Sequence, residues 1–243
     1  MARTVNPEQQ KKTRNALFQV AARAFLRDGY AATGMKALAA EAGCTTGKLY
    51  SNYSGKEELL TELLDALFLG NREAAERFAA KKKDPFYGIT AFLMMLYKGA
   101  KSYANLREIY LEGLSEPAGR QQTELLLSEM LGEDCTEEEL LRIRIAVRTI
   151  PAFLEEMAEK DETPLEDAPL EGNEGQSETV SDKDMGAERF YIGMLARILG
   201  KDAAQADTYA DRISADSASL RERAYDVLVK LLQGPKKRNV KKM

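Results

Sequence analysis

The chain has 243 residues, 44% of them hydrophobic, which is enough for a hydrophobic core in one large domain or two smaller ones. It has no histidine, and its two cysteines, Cys44 and Cys135, lie far apart, which argues against His-based catalysis, zinc sites and a disulfide framework. The net charge is -4, yet residues 1–56 hold nine Lys or Arg against three Asp or Glu, so the first quarter is basic and the remainder is acidic.

The first three predicted helices lie close together near the start of the chain. Apolar residues recur every three to four positions from Pro7 to Asp28, and Gly29 follows as a stop signal, which predicts an amphipathic helix. Thr33 is the predicted cap of a second helix that Gly43 closes, and Thr45 is the predicted cap of a third helix about eight residues long. Two short helices joined by a turn are typical of a helix-turn-helix.

Further helical patterns extend to residue 233. A fourth helix is predicted from Ser54 or Gly55, where a Glu three positions on completes a capping box, and it continues through ELLTELLDALFLGNREAAERFAA. Later patterns are FYGITAFLMMLYKGAKSY, NLREIYLEGLS, GRQQTELLLSEML, TEEELLRIRIAVRTIPAFLEEMAE, ERFYIGMLARILG and SLRERAYDVLVKLLQ. Since no segment shows the alternation of a strand, the predicted class is all-α.

Two segments have almost no apolar surface to bury. Residues 161–186, DETPLEDAPLEGNEGQSETVSDKDMG, carry nine acids and one lysine, and they are predicted to form a disordered acidic loop. Residues 234–243, GPKKRNVKKM, carry five positive charges and are predicted to be solvated.

Several protein classes are disfavoured because their sequence signals are missing. No apolar run approaches the roughly 20 residues that cross a bilayer, and MARTVNPEQQKKTR has no apolar signal segment. Gly43 and Gly47 are separated by three residues, not the four of a P-loop, and Leu49 follows Lys48 where a P-loop has Ser or Thr. No nucleophile–base pair or metal cluster can be assembled. We therefore expect a cytoplasmic protein that is not an enzyme and has no metal or cofactor.

The stretch TRNALFQVAARAFLRDGYAATGMKALAAEAGCTTGKLYSNYSGKEEL resembles the DNA-binding head of the TetR family of bacterial transcriptional regulators. The resemblance rests on a basic first helix, a GY-x-x-T turn, an A-x-x-AG hinge and a G-x-LY-x-x-[FY]-x-x-KE-x-L run, in this order. It implies that residues 1–56 are a three-helix, helix-turn-helix DNA-binding domain. It also implies that residues 57–243 are a helical ligand-binding and dimerisation domain.

This resemblance and the chemistry of the residues predict a set of DNA contacts. Gly47 lets the third helix approach the duplex closely, Tyr50 offers a hydroxyl to a phosphate, and Lys56 clamps a phosphate at the start of the fourth helix. Thr46 and Lys48 point into the major groove, where Lys48 favours guanine edges. The full predicted set is Thr33, Thr45, Thr46, Gly47, Lys48, Tyr50, Asn52, Tyr53 and Lys56.

Some of these residues have a second interpretation. Tyr53 is equally compatible with the core, Thr33 with a helix cap, and Lys48 with a phosphate contact alone. Gly34 stands where the family often has Ser or Thr, so a backbone contact from that turn is in doubt. Cys44 is interpreted as a small buried hydrophobic residue, with a redox switch as the alternative.

The body is expected to hold a ligand pocket and a dimer interface. Candidate pocket residues are Phe92, Met95, Tyr103, Tyr110, Phe153 and Met157. Candidate interface residues, on a late pair of helices, are Ile145, Phe153, Tyr191, Met194 and Leu195. The last helix, SLRERAYDVLVKLLQ, is an alternative interface.

These features predict a homodimeric DNA-binding transcriptional regulator, specifically a repressor whose two heads bind the half-sites of a palindromic operator. A small apolar or aromatic inducer would release the repressor by preferring a state with wrongly spaced heads. The alternative is a DNA-bound regulator whose body is controlled by a protein partner instead of a small molecule.

Overall fold

The computed structural model describes residues 7–132, 135–160 and 182–233, and this part of the chain forms helices and no strands. The all-α prediction is therefore confirmed. Among these helices, none combines the length and the hydrophobicity of a membrane span. In chain order the helices are α1 (Pro7–Asp28), α2 (Met35–Glu41), α3 (Thr46–Tyr50), α4 (Lys56–Lys82), α5 (Pro85–Ser102), α6 (Ala104–Ser115), α7 (Pro117–Leu131), α8 (Glu137–Lys160), α9 (Asp182–Ile198), α10 (Ala203–Ala215) and α11 (Ser217–Gln233).

The first three helices form a head around a small core at the start of α4. Phe25, Leu38 and Leu49 are buried there, one from each helix. Phe25 also meets Tyr30 edge to face, with ring centroids 5.2 Å apart. The chain leaves α1 through Gly29 at a φ of 91°, which glycine adopts without the steric cost of a Cβ. The predicted bounds of α1 are those observed.

The turn between α2 and α3 is closed by Gly43 at a φ of 62°. The Gly43 N–H donates to Ala40 O at 3.0 Å, and the Cys44 N–H donates to Ala39 O at 2.9 Å. These two bonds are the pair that ends a helix in a Schellman motif. They fix the angle at which the chain enters α3.

α3 is capped as predicted but is shorter than predicted. Thr45 Oγ1 accepts the Lys48 N–H at 3.2 Å. The helix has five residues rather than about eight, because the N–H groups of Asn52 and Tyr53 both turn back to Leu49 O at 3.0 Å. The chain therefore leaves α3 tightly, and Tyr53 is directed into the head.

α4 connects the head to the remaining helices, which we call the body. Its 27 residues span about 40 Å at the usual helical rise. It begins at Lys56, slightly later than predicted, and its first turn is tied back by Glu58. That carboxylate accepts the Ser54 N–H at 2.7 Å and the Ser54 hydroxyl at 2.9 Å. These bonds, with Arg14 nearby, lower the pKa of Glu58.

α5 is the central helix of the body. Every residue from Phe86 to Ala100 is buried, and α5 contacts α4 and each helix from α6 to α11. Asp84 caps its first turn by accepting the Tyr87 N–H at 3.2 Å, and Pro85 occupies the first turn, where no N–H is needed. A helix that is largely apolar on all sides requires such an enclosure.

α10 is absent from the sequence prediction. Its buried face consists of Ala206, Ala210 and Ile213, which are small or moderate in size and give a weak apolar stripe. Asp202 and Gln205 form a complete capping box at its start. This D-x-x-Q spacing is the sequence signal that could have revealed the helix.

The predicted acidic loop is partly helical. α9 begins at Asp182, so residues 182–186 belong to a helix and not to the loop. The preceding residues of that predicted loop, 161–181, lie outside the described residues, as do residues 234–243.

Candidate functional site

An exposed ridge on the head is formed by α3 and its cap. Thr45, Thr46, Gly47 and Lys48 are exposed, and Tyr50 is 54% exposed although its side chain is large and aromatic. The ridge carries hydroxyls and one ammonium group, and Gly47 leaves its middle without a side chain. Such a surface can approach a polyanion closely and donate hydrogen bonds to it.

Tyr53 does not belong to this ridge, which corrects the predicted contact set. Tyr53 is 1% exposed, and its hydroxyl donates to Arg14 O at 3.2 Å or to Glu62 Oε1 at 3.3 Å. The Arg14 guanidinium lies 4.0 Å from the ring centroid. Burial, and then the Glu62 carboxylate, raises the pKa of Tyr53. Its hydroxyl is therefore committed to the interior of the head.

Thr33 is also turned inward and does not cap α2. It is buried, and its hydroxyl donates to Gly29 O at 2.7 Å. The N-cap of α2 is Gly34, which offers no side-chain acceptor. The Thr33 hydroxyl thus closes the turn after α1 and is not available to a ligand outside the head.

Asn52 and Lys56 are half-buried and engaged within the head. The Asn52 amide donates to Lys48 O at 2.9 Å. Lys56 Nζ donates to Tyr30 O at 2.9 Å and lies 4.1 Å from the centroid of the Tyr30 ring. Lys36, exposed on α2, is a further cation of the head that is absent from the predicted contact set. Its position on the polar side of a short helix, next to buried Leu38, was the available signal.

The end of α1 is held by two side chains of α6. Asn105 Nδ2 donates to Leu26 O and to Arg27 O, both at 3.0 Å. The Glu108 carboxylate accepts the N–H groups of Tyr30 and Ala31, both at 2.9 Å. We call Asn105 and Glu108 the α6 clamp. It joins the head to the body through two carbonyls in the last turn of α1 and two N–H groups of the turn that follows.

Four of the six predicted pocket residues lie in the interior of the body. Phe92, Met95, Tyr103 and Tyr110 are buried, and the rings of Phe92 and Tyr110 both contact Phe68, at centroid distances of 6.0 and 5.9 Å. Next to them, buried Asn71 has a side-chain oxygen with no hydrogen-bond partner among the described residues. Tyr110, which hydrogen-bonds Asn71, has its pKa raised by burial. This region therefore combines aromatic surface with a spare acceptor.

Phe153, which is half-buried, packs elsewhere in the body. Its ring stacks on Tyr191 with centroids 3.5 Å apart and lies 5.2 Å from the Tyr97 ring. The side chain of the last candidate, Met157, lies outside the described residues.

A buried ion pair joins three helices of the body. Lys98 of α5 contacts Glu188 of α9, and these residues are 5% and 0% exposed. The other oxygen of Glu188 accepts the Ser217 hydroxyl of α11 at 3.0 Å. Charges at this depth are retained only when they are paired and hydrogen-bonded.

α8 and α9 present exposed apolar residues on the outside of the body. Leu141 and Ile145 lie one turn apart on α8, and Phe190 of α9 is 72% exposed. Phe190 and half-buried Met194 line a groove of about 490 Å³ between α9 and α10. Exposed apolar residues that group into one patch mark a contact surface, whereas single ones do not.

Two of the predicted interface residues face the other way. Tyr191 and Leu195 are buried against the body, about 100° around α9 from Phe190 and Met194. On α11, the alternative interface helix, Leu228 is buried where α11 packs on α4 and α5. Phe190 is missing from the predicted set because α9 has apolar residues on both sides, and the sequence does not say which side is outside.

Comparison with known proteins agrees with this architecture. Residues 17–63 match the family model described as bacterial regulatory proteins, tetR family. The crystal structure of RolR in complex with its ligand resorcinol is similar over 85% of this chain and 97% of that chain, with a TM-score of 0.61 and 18% identity. A crystal structure of a gamma-butyrolactone receptor, an ArpA-like protein, covers 86% of this chain and 99% of that chain, with a TM-score of 0.44 and 16% identity. No curated protein sequence matches the chain.

Proposed function

We propose that this chain, which belongs to the TetR family of transcription regulators, is a homodimeric repressor that a small aromatic molecule releases from a palindromic operator. The observation that carries the DNA-binding half is the exposed α3 ridge on a basic head, joined to an acidic body. The opposite charges of head and body orient the molecule, because a polyanion attracts the first and repels the second.

The ridge offers groups for contacts with DNA phosphates and groups for contacts with base edges. The Tyr50 hydroxyl and the Thr45 side chain are exposed donors suited to phosphates. Thr46 and Lys48 lie between them in sequence, facing the major groove, where Lys48 offers an ammonium to guanine O6 and N7. Thr33, Asn52, Tyr53 and Lys56 are engaged within the head, so the proposed DNA contacts are limited to the residues of the ridge. The expected role of the four engaged residues is to fix the shape of the head.

The first test compares two tyrosines that lose the same hydroxyl. An operator is first selected from random duplexes with the unmodified protein, and a palindrome with half-sites about one helical turn apart is expected. Tyr50→Phe should then weaken binding about fivefold on specific and non-specific DNA alike, because it removes a phosphate contact. Tyr53→Phe is the matched control. It should lower the stability of the head and leave the affinity of the folded protein within about twofold.

The opposite ranking of these two variants, at equal folded fraction, would show that Tyr53 and not Tyr50 reaches the DNA. Equal affinities for both variants and the parent would remove the ridge from the proposal.

Dimerisation is proposed to use the exposed faces of α8 and α9. Leu141, Ile145, Phe190 and Met194 provide apolar area on two neighbouring helices, as a self-complementary interface requires. Two protomers would then present two heads, and each head needs the other to reach operator affinity.

The ligand half of the proposal rests on the body interior. Its buried aromatic rings and the spare Asn71 oxygen suit a small aromatic molecule with a hydrogen-bond donor. The crystal structure of RolR, whose fold is similar, contains the ligand resorcinol, which is a small aromatic molecule with hydrogen-bond donors. Resorcinol and simple phenols are therefore the first compounds to test.

We propose that the α6 clamp transmits the effect of ligand binding to the head, because the clamp fixes the head to a helix that lines the body interior. A ligand that moves α6 would carry Asn105 and Glu108 with it and change the orientation of the head. The assay uses a compound that raises the melting temperature of the parent protein and also releases the parent from the operator. In the variant Asn105→Ala/Glu108→Ala, the compound should still raise the melting temperature but lose most of its effect on DNA affinity.

Glu112→Ala is the control for the clamp, since Glu112 is exposed on the same helix and takes no part in the hydrogen bonds that the described residues of α6 make to the end of α1 and the turn after it. In this variant the compound should still raise the melting temperature and still lower the affinity for the operator. Equal release of the clamp variant and the parent would contradict the coupling path. If no phenol changes the melting temperature of the parent, the proposed class of small aromatic ligand is wrong. That result would favour the alternative, in which a protein partner controls the body.

A further inference from the structure

We propose that the buried ion pair of Lys98 and Glu188, together with Ser217, fixes the rotation of α9 about its own axis. The pair thereby determines which apolar face α9 presents to the partner protomer. These three are positioning residues, because they act through α9. The functional consequence rests on the proposed dimer of α8 and α9, whereas the rotation is a property of a single protomer.

The apolar surface of α9 is too wide to select one rotation. Between Gly186 and Ile198, apolar side chains cover an arc of about 240°, from Phe190 round to Ala196, at about 100° per residue. A helix needs an apolar stripe of only about 100° or more to face a core. Several rotations of α9 would therefore bury enough apolar area.

The observed rotation is not the one that the apolar arc favours. The arc is centred between Tyr191 and Leu195, whereas the buried side chains of α9 lie to either side of Glu188. α9 is thus turned by about 45° from the centre of its arc, which leaves Phe190 at the edge 72% exposed. Between residues 186 and 198, Glu188 is the one charged residue within the arc. Because a charge normally faces water, hydrophobicity does not account for its burial.

Both carboxylate oxygens of Glu188 are bound by other helices. Lys98 of α5 pairs with one oxygen, and the Ser217 hydroxyl at the start of α11 donates to the other at 3.0 Å. Turning α9 by one residue, about 100°, would carry the carboxylate away from both partners. It would also leave the Lys98 ammonium buried without its anion, which is strongly unfavourable. The rotation is therefore held from two directions.

Other contacts of α9 restrict the rotation less. Its ion pairs with α10, Arg189 with Asp211 and Arg197 with Asp207, are more than half exposed, and such pairs contribute little. A buried ion pair is itself no more stabilising than well-packed apolar residues of similar volume, so stability alone does not explain it. A role in specifying one arrangement does, as when a single buried Asn fixes the register of a coiled coil.

The chain has no tryptophan, so one introduced tryptophan reports the rotation directly. Phe190→Trp marks the exposed side of α9, and Tyr191→Trp marks the buried side. Each is combined with Leu141→Asp, so that a dimer contact on the α8 and α9 face cannot shield the reporter. Acrylamide should quench the Phe190→Trp protein at least about fivefold more strongly than the Tyr191→Trp protein, as the exposed fractions of 72% and 1% imply.

Lys98→Met/Glu188→Leu should reduce this quenching ratio below about twofold, because α9 then populates more than one rotation. In the chain without the reporters and without Leu141→Asp, the same double variant should raise the dimer dissociation constant at least about fourfold. A dimer needs the correct rotation in both protomers, and the factor is the square of about one half. The melting temperature should stay within about 4 °C of that of the parent.

Two controls separate rotation from stability. Lys98→Gln/Glu188→Gln keeps a buried hydrogen-bonding pair and should restore the parental quenching ratio and dimer constant. Ile192→Ala removes apolar contacts from the buried side of α9. It should lower the melting temperature and leave the quenching ratio unchanged, because the ion pair remains.

Ser217→Ala removes one of the two bonds to Glu188 with little change in volume, and it should lower the quenching ratio in the same direction. This variant keeps the test available if the apolar double variant does not fold. A parental ratio in both variants overturns the inference, and so does a ratio that Ile192→Ala lowers as much as they do. If the ratio falls but the dimer constant does not change, the rotation is confirmed and the proposed α8 and α9 interface fails.

Discussion

Phe190→Asp should convert the protein from dimers to monomers at micromolar concentration and weaken operator binding by more than about 100-fold. The substitution places a charge at the most exposed large apolar residue of the described chain, in the groove on α9. Burying an unpaired carboxylate between two protomers is strongly unfavourable. The loss of affinity follows because the second head then binds as a separate molecule, and linking two heads typically increases affinity by 10² to 10⁴. Sedimentation and operator titration measure the two effects.

A matched pair of leucines locates the interface more sharply. Leu141 of α8 and Leu69 of α4 are both 55% exposed, but only Leu141 lies on the proposed face. Leu141→Asp should give monomers, whereas Leu69→Asp should remain a dimer with parental operator affinity. Monomers from Leu69→Asp alone would move the interface to α4. A Phe190→Asp monomer that bound the palindrome as tightly as the parent would refute the two-headed mechanism.

Lys98→Met should reduce the free energy of unfolding by about 3–5 kcal/mol, because it leaves the Glu188 carboxylate buried without its cation. Replacing both partners, as Lys98→Met/Glu188→Leu, should recover most of that loss, since a buried ion pair contributes little more than a well-packed apolar pair. Ser217 loses its acceptor in the double variant, so recovery should fall short by about 1 kcal/mol. Urea unfolding of the parent and both variants measures these differences.

The control is Glu138→Leu, which breaks an exposed ion pair with Arg142 within α8. It should change stability by less than about 1 kcal/mol. A double variant as unstable as the single one would show that the pair is stabilised by its surroundings in a way that apolar side chains cannot replace.

The helices of the head could be predicted because their signals are local. The apolar spacing of α1, the stop at Gly29 and the cap at Thr45 each depend on residues within one or two turns. The α6 clamp has no such signal, since Glu108 bonds the Tyr30 N–H across 78 positions of sequence. The inward turn of Tyr53 likewise depends on Arg14 and Glu62, which come from two other helices.

The faces of α9 show a second limit of sequence reasoning. Apolar spacing placed this helix at the interface, but the predicted set combined Tyr191 and Leu195 from its buried side with Met194 from its exposed side, and it left out Phe190. Periodicity defines which residues share a face, and packing against α8 and α10 decides which face is covered. For a helix with two apolar sides, only the positions of its neighbours resolve the choice.

The position of α5 determines how the body can open. Because α5 touches every other body helix and has no exposed side from Phe86 to Ala100, no outer helix can detach without uncovering part of it. Local opening of the body is therefore costly wherever it starts, and helices α4 to α11 should behave as one cooperative unit instead of several independent foldons. We expect a change at one outer helix to affect the others, because the described helices of the body share α5 as their central partner.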